Sequence, residues 1–336
     1  MRLSSGTHLA LAAAAALAGV SVFGGGQSKA KGSLSRAVRR ENHIHPDKKI
    51  RKLEEEILNL FTNKKISLAR RMSKNIGNNQ LDFDGVDFSY LDFSDCNLVQ
   101  IKFNYCEFNN VNFSRSFFDG SMFRHSKFVN CTFGNADMSW CNFEYAELDN
   151  CKMDDFIGHQ SKFSNSEIKN TNMSRSDLSE SSFAGAKIVN SILESVNLSN
   201  SLMMHASIVS SDMSNVSASR SNMRQSTITK TKFNDSNLIG AEMQNCVITE
   251  VDFSNSVLNF SDLSSAVVNK SLFNNASLDS TNLSNMIIDG EVISLGSRPK
   301  IFFGAERDFS GIPMGFKLVY SHFNSHRTIL VPDRII

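Results

Sequence analysis

The stretch Cys131–Cys151, CTFGNADMSWCNFEYAELDNC, sets three thiols ten residues apart, at Cys131, Cys141 and Cys151, with aromatics and carboxylates between them. Thiols in series serve three chemistries: coordination of a soft metal, disulfide formation, or thiol–disulfide exchange. Zinc and redox pairs draw on tight loops such as Cys-x-x-Cys, because the sulfurs must converge on one point. A ten-residue spacing gives no local convergence. The histidines offer no better site: His43 with His45, and His322 with His326, each lack a second pair. No G-x-x-x-x-G-K-[S/T], G-x-G-x-x-G or G-x-S-x-G motif occurs. These residues point to no catalytic group, no cofactor and no metal ligand, and so to a protein that is not an enzyme.

The cysteines make sense only within a longer rhythm. Every fifth residue from Phe83 to Ile293 forms a series of 43 positions, of which 41 are Phe, Leu, Met, Ile or Val. Gly158 and Ala218 are the exceptions. Two residues earlier runs a second, mostly small column, and all six cysteines (Cys96, Cys106, Cys131, Cys141, Cys151 and Cys246) fall in it. The residue between the two columns is usually polar, and the two that follow the large one are mostly Ser, Asn, Asp or Gly. A period of five is neither helical nor a simple strand. A pair at i−2 and i does share one face of a short extended segment. The other positions turn and face solvent, where Asn, Asp, Ser and Gly tolerate unusual backbone angles. Repetition coils the chain around a narrow core. At Gly158 the missing volume is supplied by Phe156 in the small column, and at Ala218 more weakly by Val216. Phe156 is therefore expected to point inward.

The units ADMSW, AELDN, SDLSE, VNLSN, SNLIG, VDFSN and SDLSS resemble the A-(D/N)-L-x-x motif of the pentapeptide-repeat family, over about 215 residues. The resemblance implies an all-β solenoid, a right-handed quadrilateral β-helix with four pentapeptides per coil. It also gives the ten-residue spacing a meaning: Cys131 and Cys141 point in from opposite walls. Cys131 and Cys151 become neighbours in one ladder, with parallel side chains ill-suited to a disulfide. Residues twenty apart stack on one outer face. Asn110, Asn130, Asn150, Asn170 and Asn190 then form an amide ladder, and Tyr105, His125 and Tyr145 an aromatic one, flanked by Trp140. Val247, Val267 and Ile287 form an apolar stripe for the C-terminal tail, a partner or a second copy to cover. These seven residues, from Tyr105 to Ile287, are the candidate protein-binding positions.

The flanks break the period. Residues 1–45 read as a flexible targeting or secretion leader, 46–79 as an amphipathic helical cap with Ile50, Leu53, Ile57, Leu60 and Phe61 in a stripe, 80–296 as the repeat body, and 297–336 as a non-repeat tail. FKLVYSHF and RTILVP in the tail read as two strands of a hairpin. Residues 1–80 hold 15 Lys and Arg against 5 Asp and Glu, whereas 81–295 hold 14 against 26. A basic arm thus precedes an acidic body. The apolar run LALAAAAALAGVSVFGGG is short for a membrane span, and its positive charges follow it. A Sec signal, an organelle-targeting or type III secretion leader and a membrane anchor all remain open for this segment.

The layout resembles that of the pentapeptide-repeat type III secreted effectors of enteric bacteria. It implies a non-enzymatic interaction scaffold, exported or delivered to a host cell, with a host protein as partner and membrane association through the N-terminal segment. No nucleic-acid partner is expected. A gyrase-protecting, DNA-mimicking pentapeptide protein and an exported structural envelope protein are the alternatives. DNA mimicry requires carboxylates aligned along one or two faces.

Overall fold

Backbone amides set the repeat. In residues 81–162 the N–H of Phe103 donates to the Met122 carbonyl at 2.7 Å, while the N–H of Lys102 donates back to the Leu81 carbonyl at 2.9 Å. Parallel bridges join residues twenty apart, such as Asp82 to Lys102, Asp92 to Asn112 and Asn97 to Phe117. Each coil therefore has four walls. Their outward middle residues begin at Asp82 (first wall), Asp87 (second), Asp92 (third) and Asn97 (fourth), each recurring every twenty residues. The computed structural model describes residues 81–289, the strands 316–320 and 328–332, and Lys52, Glu54, Glu55, Glu56 and Asn59. Two compact units divide after Lys162.

In the first unit the second wall carries full strands, β1 (Glu107–Asn109), β2 (Lys127–Val129) and β3 (Glu147–Asp149), paired parallel with Glu107, Lys127 and Glu147 in register. Walls meet at corners. Ser116 N–H closes one corner on the Phe113 carbonyl at 3.2 Å, and Arg115, third in that turn, has a φ of 56°. Such a turn demands a left-handed third residue. Every fifth residue from Gly85 to Asn285 obeys, and only Gly85, Gly120, Gly185 and Gly240 among them are glycine. Middle-position Asp and Asn have their own task. The carboxylate of Asp92 accepts the Ser94 N–H at 2.9 Å, and the Asn112 amide oxygen accepts the Ser114 N–H at 3.0 Å. These side chains satisfy turn amides, which explains the D/N of the motif.

The large column is the core. Phe83, Phe103, Phe123 and Phe143 stack along one wall at 5.6, 5.2 and 5.0 Å. Neighbouring walls meet edge to face, as Phe113 and Phe118 do at 5.5 Å and 74°. Phe156 is fully buried and packs edge-on against Phe133 at 6.2 Å, so the predicted exchange of volume with Gly158 is real. The carboxylate of Glu54, itself buried, accepts the Asp82 N–H at 2.6 Å. Lys52, Glu54, Glu55, Glu56 and Asn59 are helical; the apolar stripe expected at Ile50, Leu53, Ile57, Leu60 and Phe61 lies outside the described residues.

The second unit keeps the same period with a more aliphatic core. Its second wall carries β4 (Glu167–Lys169), β5 (Lys187–Val189), β6 (Ser207–Val209), β7 (Thr227–Thr229), β8 (Val247–Thr249), β9 (Val267–Asn269) and β10 (Ile287–Asp289). Ile168, Ile188, Ile208, Ile228, Ile248 and Val268 line up inside these strands, and Val216 and Ala218 are both buried. The tail strands β11 (Phe316–Tyr320) and β12 (Thr328–Pro332) pair antiparallel. The side chains that would show whether this hairpin covers the apolar stripe lie outside the described residues.

Volume at the Phe156/Gly158 pair gives a direct check. Phe156→Ala is expected to lower unfolding stability in urea by about 3–5 kcal/mol, because no neighbour can refill the space. Adding Gly158→Leu to that variant should restore part of the loss, whereas Gly158→Leu alone should destabilise by overpacking.

Candidate functional site

The thiols of the small column behave as hydroxyls do at the same positions. Ser121 Oγ donates to the Leu98 carbonyl at 3.0 Å and Ser126 Oγ to that of Phe103 at 2.6 Å. Cys106, Cys131 and Cys141 direct Sγ at the carbonyls of Phe83, Phe108 and Phe118, at 3.1, 3.2 and 3.0 Å. Each contact reaches back one coil, so a small donor stitches successive turns from inside. Burial, reinforced by the Asp119 and Asp137 carboxylates, pushes the Cys141 thiol well up. All six cysteines are free and buried. Among the described residues no cluster of His, Cys, Asp and Glu is arranged to hold a metal ion.

The outer corners hold the aromatics. Tyr105, His125 and Tyr145 occupy one corner, between the first and second walls, in three successive coils. Their rings stack at 4.8 and 4.9 Å with planes 1° and 5° apart. Trp140 occupies the corner at the other edge of the first wall, so it does not join that ladder. Its indole meets His159 edge-on at 6.2 Å. Tyr105 is 50%, Tyr145 47% and Trp140 59% exposed. All four residues have φ between 56° and 60°. A non-glycine residue in this region costs about 1 kcal/mol, least for Asn and Asp, which bond locally to the backbone. At the next corner Asn110, Asn130 and Asn150 show the economical choice, and Asn150 Nδ2 donates to Asn130 Oδ1 at 2.7 Å. Aromatics at the other two corners thus serve the surface rather than the turn.

Two residues that the sequence reading did not single out extend this surface. Phe117 and Ile157 are exposed middle residues of the fourth wall, on either side of Asp137 in the ladder. Their signal was available, since middle positions are usually polar. In the second unit Val247, Val267 and Ile287 stand in register on adjacent strands, with Val247 and Ile287 exposed and Val267 half-buried.

Carboxylates are spread over every wall. In the first unit they include Asp82 on the first, Glu147 on the second, Asp92 on the third and Asp137 on the fourth. Cations interleave with them: Lys102 pairs with Asp82 at 3.4 Å, Arg124 with Glu144 at 3.2 Å and Lys127 with Glu147 at 3.2 Å. In the second unit Lys232 meets Asp212 at 2.9 Å and Arg224 meets Glu242 at 3.4 Å. No described wall presents the unbroken carboxylate row that mimicry of a DNA backbone requires.

The inward thiols should be chemically silent. A disulfide-exchange reagent is expected to titrate no cysteine in the native protein and all six after denaturation. Cys141→Ser should leave the melting temperature nearly unchanged, because the hydroxyl takes the same carbonyl, while Cys141→Val should lower it.

Comparison with known proteins agrees with this geometry. A family model described as pentapeptide repeats matches residues 82–120, 118–155, 159–194 and 211–255. No curated protein matches the chain in sequence. Among solved structures, HetL, a pentapeptide repeat protein involved in heterocyst differentiation regulation in the cyanobacterium Nostoc sp. strain PCC 7120, is 15% identical. That match covers 65% of this chain and 96% of HetL, with a TM-score of 0.37. QnrB1, a plasmid-mediated fluoroquinolone resistance protein, is 18% identical over 61% of this chain and 89% of its own, with a TM-score of 0.27. A thylakoid-lumen pentapeptide repeat protein of Arabidopsis thaliana is 21% identical over 27% of this chain and 63% of its own, with a TM-score of 0.18. The twenty-residue coil, the paired inward columns and the matched repeats together give each of the two units the pentapeptide-repeat β-helix fold.

Proposed function

We propose that the protein is a non-enzymatic interaction scaffold whose first unit binds a partner protein through its exposed aromatic corners. One observation carries the reading: Tyr105, Tyr145 and Trp140 occupy left-handed positions where Asn or Gly would serve the turn at lower cost. Aromatic side chains are enriched where binding energy concentrates. The interior supports the same reading, because the thiols of Cys106, Cys131 and Cys141 and the hydroxyls of Ser121 and Ser126 are committed to carbonyls of the preceding coil. The basic N-terminal segment, whose first 40 residues hold no Asp or Glu, favours export, and delivery to a host cell as a bacterial effector is the form of this proposal that matches the layout of the chain. Interleaved cations on the walls weigh against the DNA-mimicking alternative.

The test compares wild type with the triple variant Tyr105→Asn, Trp140→Asn, Tyr145→Asn as bait in quantitative affinity capture, alongside a translocation reporter fused to residues 1–45. The reading expects the variant to fold with undiminished stability and to lose a specific set of captured proteins, and the reporter to be exported. An unchanged capture profile would overturn the aromatic corners as the binding surface. A reporter that stays in the producing cell would overturn the effector form of the proposal.

A further inference from the structure

The four walls of the first unit are not equivalent in charge. At their middle and turn positions the first wall carries Lys102, Arg124 and Lys162, the second Lys127 and the third Lys152. The fourth carries neither Lys nor Arg. The nearest arginine, Arg115 on its edge, is committed to Asp95 by two bonds of 2.8 and 2.9 Å. This same wall is the apolar one. Phe117 is 51% and Ile157 42% exposed, and Trp140 stands at its far edge. Two carboxylates sit among these side chains. Asp137 lies between Phe117 and Ile157 in the ladder, and Asp119 lies in the turn beside Gly120. Partial burial, then the charge of Asp137, raises the affinity of Asp119 for its proton. Among the described residues no cation pairs with either carboxylate.

Resting on the scaffold reading, we infer that the fourth wall of the first unit docks a cationic, aliphatic segment of a partner protein, with Phe117, Trp140 and Ile157 taking its apolar side chains and Asp119 and Asp137 its Lys or Arg. Charge complementarity selects this occupant. An acidic segment would meet two carboxylates without a counter-charge, and a purely apolar one would bury them unpaired. A cation held near the indole face also gains from the ring quadrupole. Successive side chains of an extended segment alternate between faces, so one that repeats Lys-Lys-Leu-Leu sets Lys and Leu in turn along the face that meets the wall.

Trp140 is the protein's single tryptophan, so its fluorescence reports on the corner at the edge of this wall. The full-length protein is titrated with three blocked octapeptides in which pairs of Leu alternate with pairs of Lys, Gln or Glu, so that each face carries both residue types. The Lys peptide is expected to shift Trp140 emission saturably, and to bind about tenfold or more tightly than the Gln peptide, with no response to the Glu peptide. Asp119→Asn with Asp137→Asn should weaken the Lys peptide by a similar factor, whereas Asp92→Asn on the third wall should not. Equal binding of the Lys and Gln peptides, or indifference to the Asp119 and Asp137 change, would overturn the cationic occupant while leaving an apolar docking wall in place. No response to any peptide would overturn the wall as a docking site. That result combined with an unaltered capture profile in the corner variant would overturn the scaffold reading with it. Trp140 shielded from iodide in the free protein and released by salt would instead assign the wall to the chain's own basic N-terminal segment.

Discussion

The left-handed corner residue is the constraint from which the rest of this protein follows. A chain that turns four times in twenty residues must reverse its path every fifth residue, and each reversal places one residue at positive φ. Once the corners are fixed, the wall between two of them is only long enough to point one small and one large side chain inward. Within each unit coil then lies on coil in register, and the backbone amides along the walls find carbonyls of a neighbouring turn. The phenylalanine stacks are a consequence of that register, since identical positions recur at the strand spacing. Such a coil cannot absorb a one-residue insertion without rotating every later side chain off its wall.

The same constraint separates fold from surface. The inner pair and the corner backbone consume most of the information needed for folding, and middle-position Asp or Asn completes the turn. Outer side chains are otherwise free to vary. Function on a solenoid is therefore a matter of which columns depart from the economical choice. Here the departures are specific: aromatics stand at three corners of the first unit, Tyr90 at the one that Asn110, Asn130 and Asn150 otherwise hold, and apolar residues replace polar ones on its fourth wall and on the C-terminal strands of the second unit.

Much of this was legible in the sequence because the period is strict. The inward columns, the stacking of positions twenty apart, the Phe156 exchange with Gly158 and the hairpin strands near Phe316 and Thr328 all follow from counting. What counting misses is direction. It places Trp140 near the Tyr105–His125–Tyr145 ladder, but the indole sits on a separate corner and leans on His159. Spacing alone also hides that Cys141 and Ser121 do the same work in the small column, each directing its donor at a carbonyl of the preceding coil. At the N-terminal end the contact described is polar, the Glu54 carboxylate accepting the Asp82 N–H, and no period of the repeat announces it. Phe117 and Ile157 were overlooked because each is unremarkable alone and forms a wall only with its neighbours.

The central claim is that the corner dictates backbone conformation and the aromatic at Trp140 is placed against that preference. Equilibrium unfolding of Trp140→Gly, Trp140→Asn and Trp140→Val tests it most directly. The account expects Gly and Asn to be at least as stable as wild type, and Val to be lower by about 1–2 kcal/mol, since a β-branched residue resists positive φ. A Val variant as stable as the Gly variant, or Gly and Asn variants clearly weaker than wild type, would contradict it.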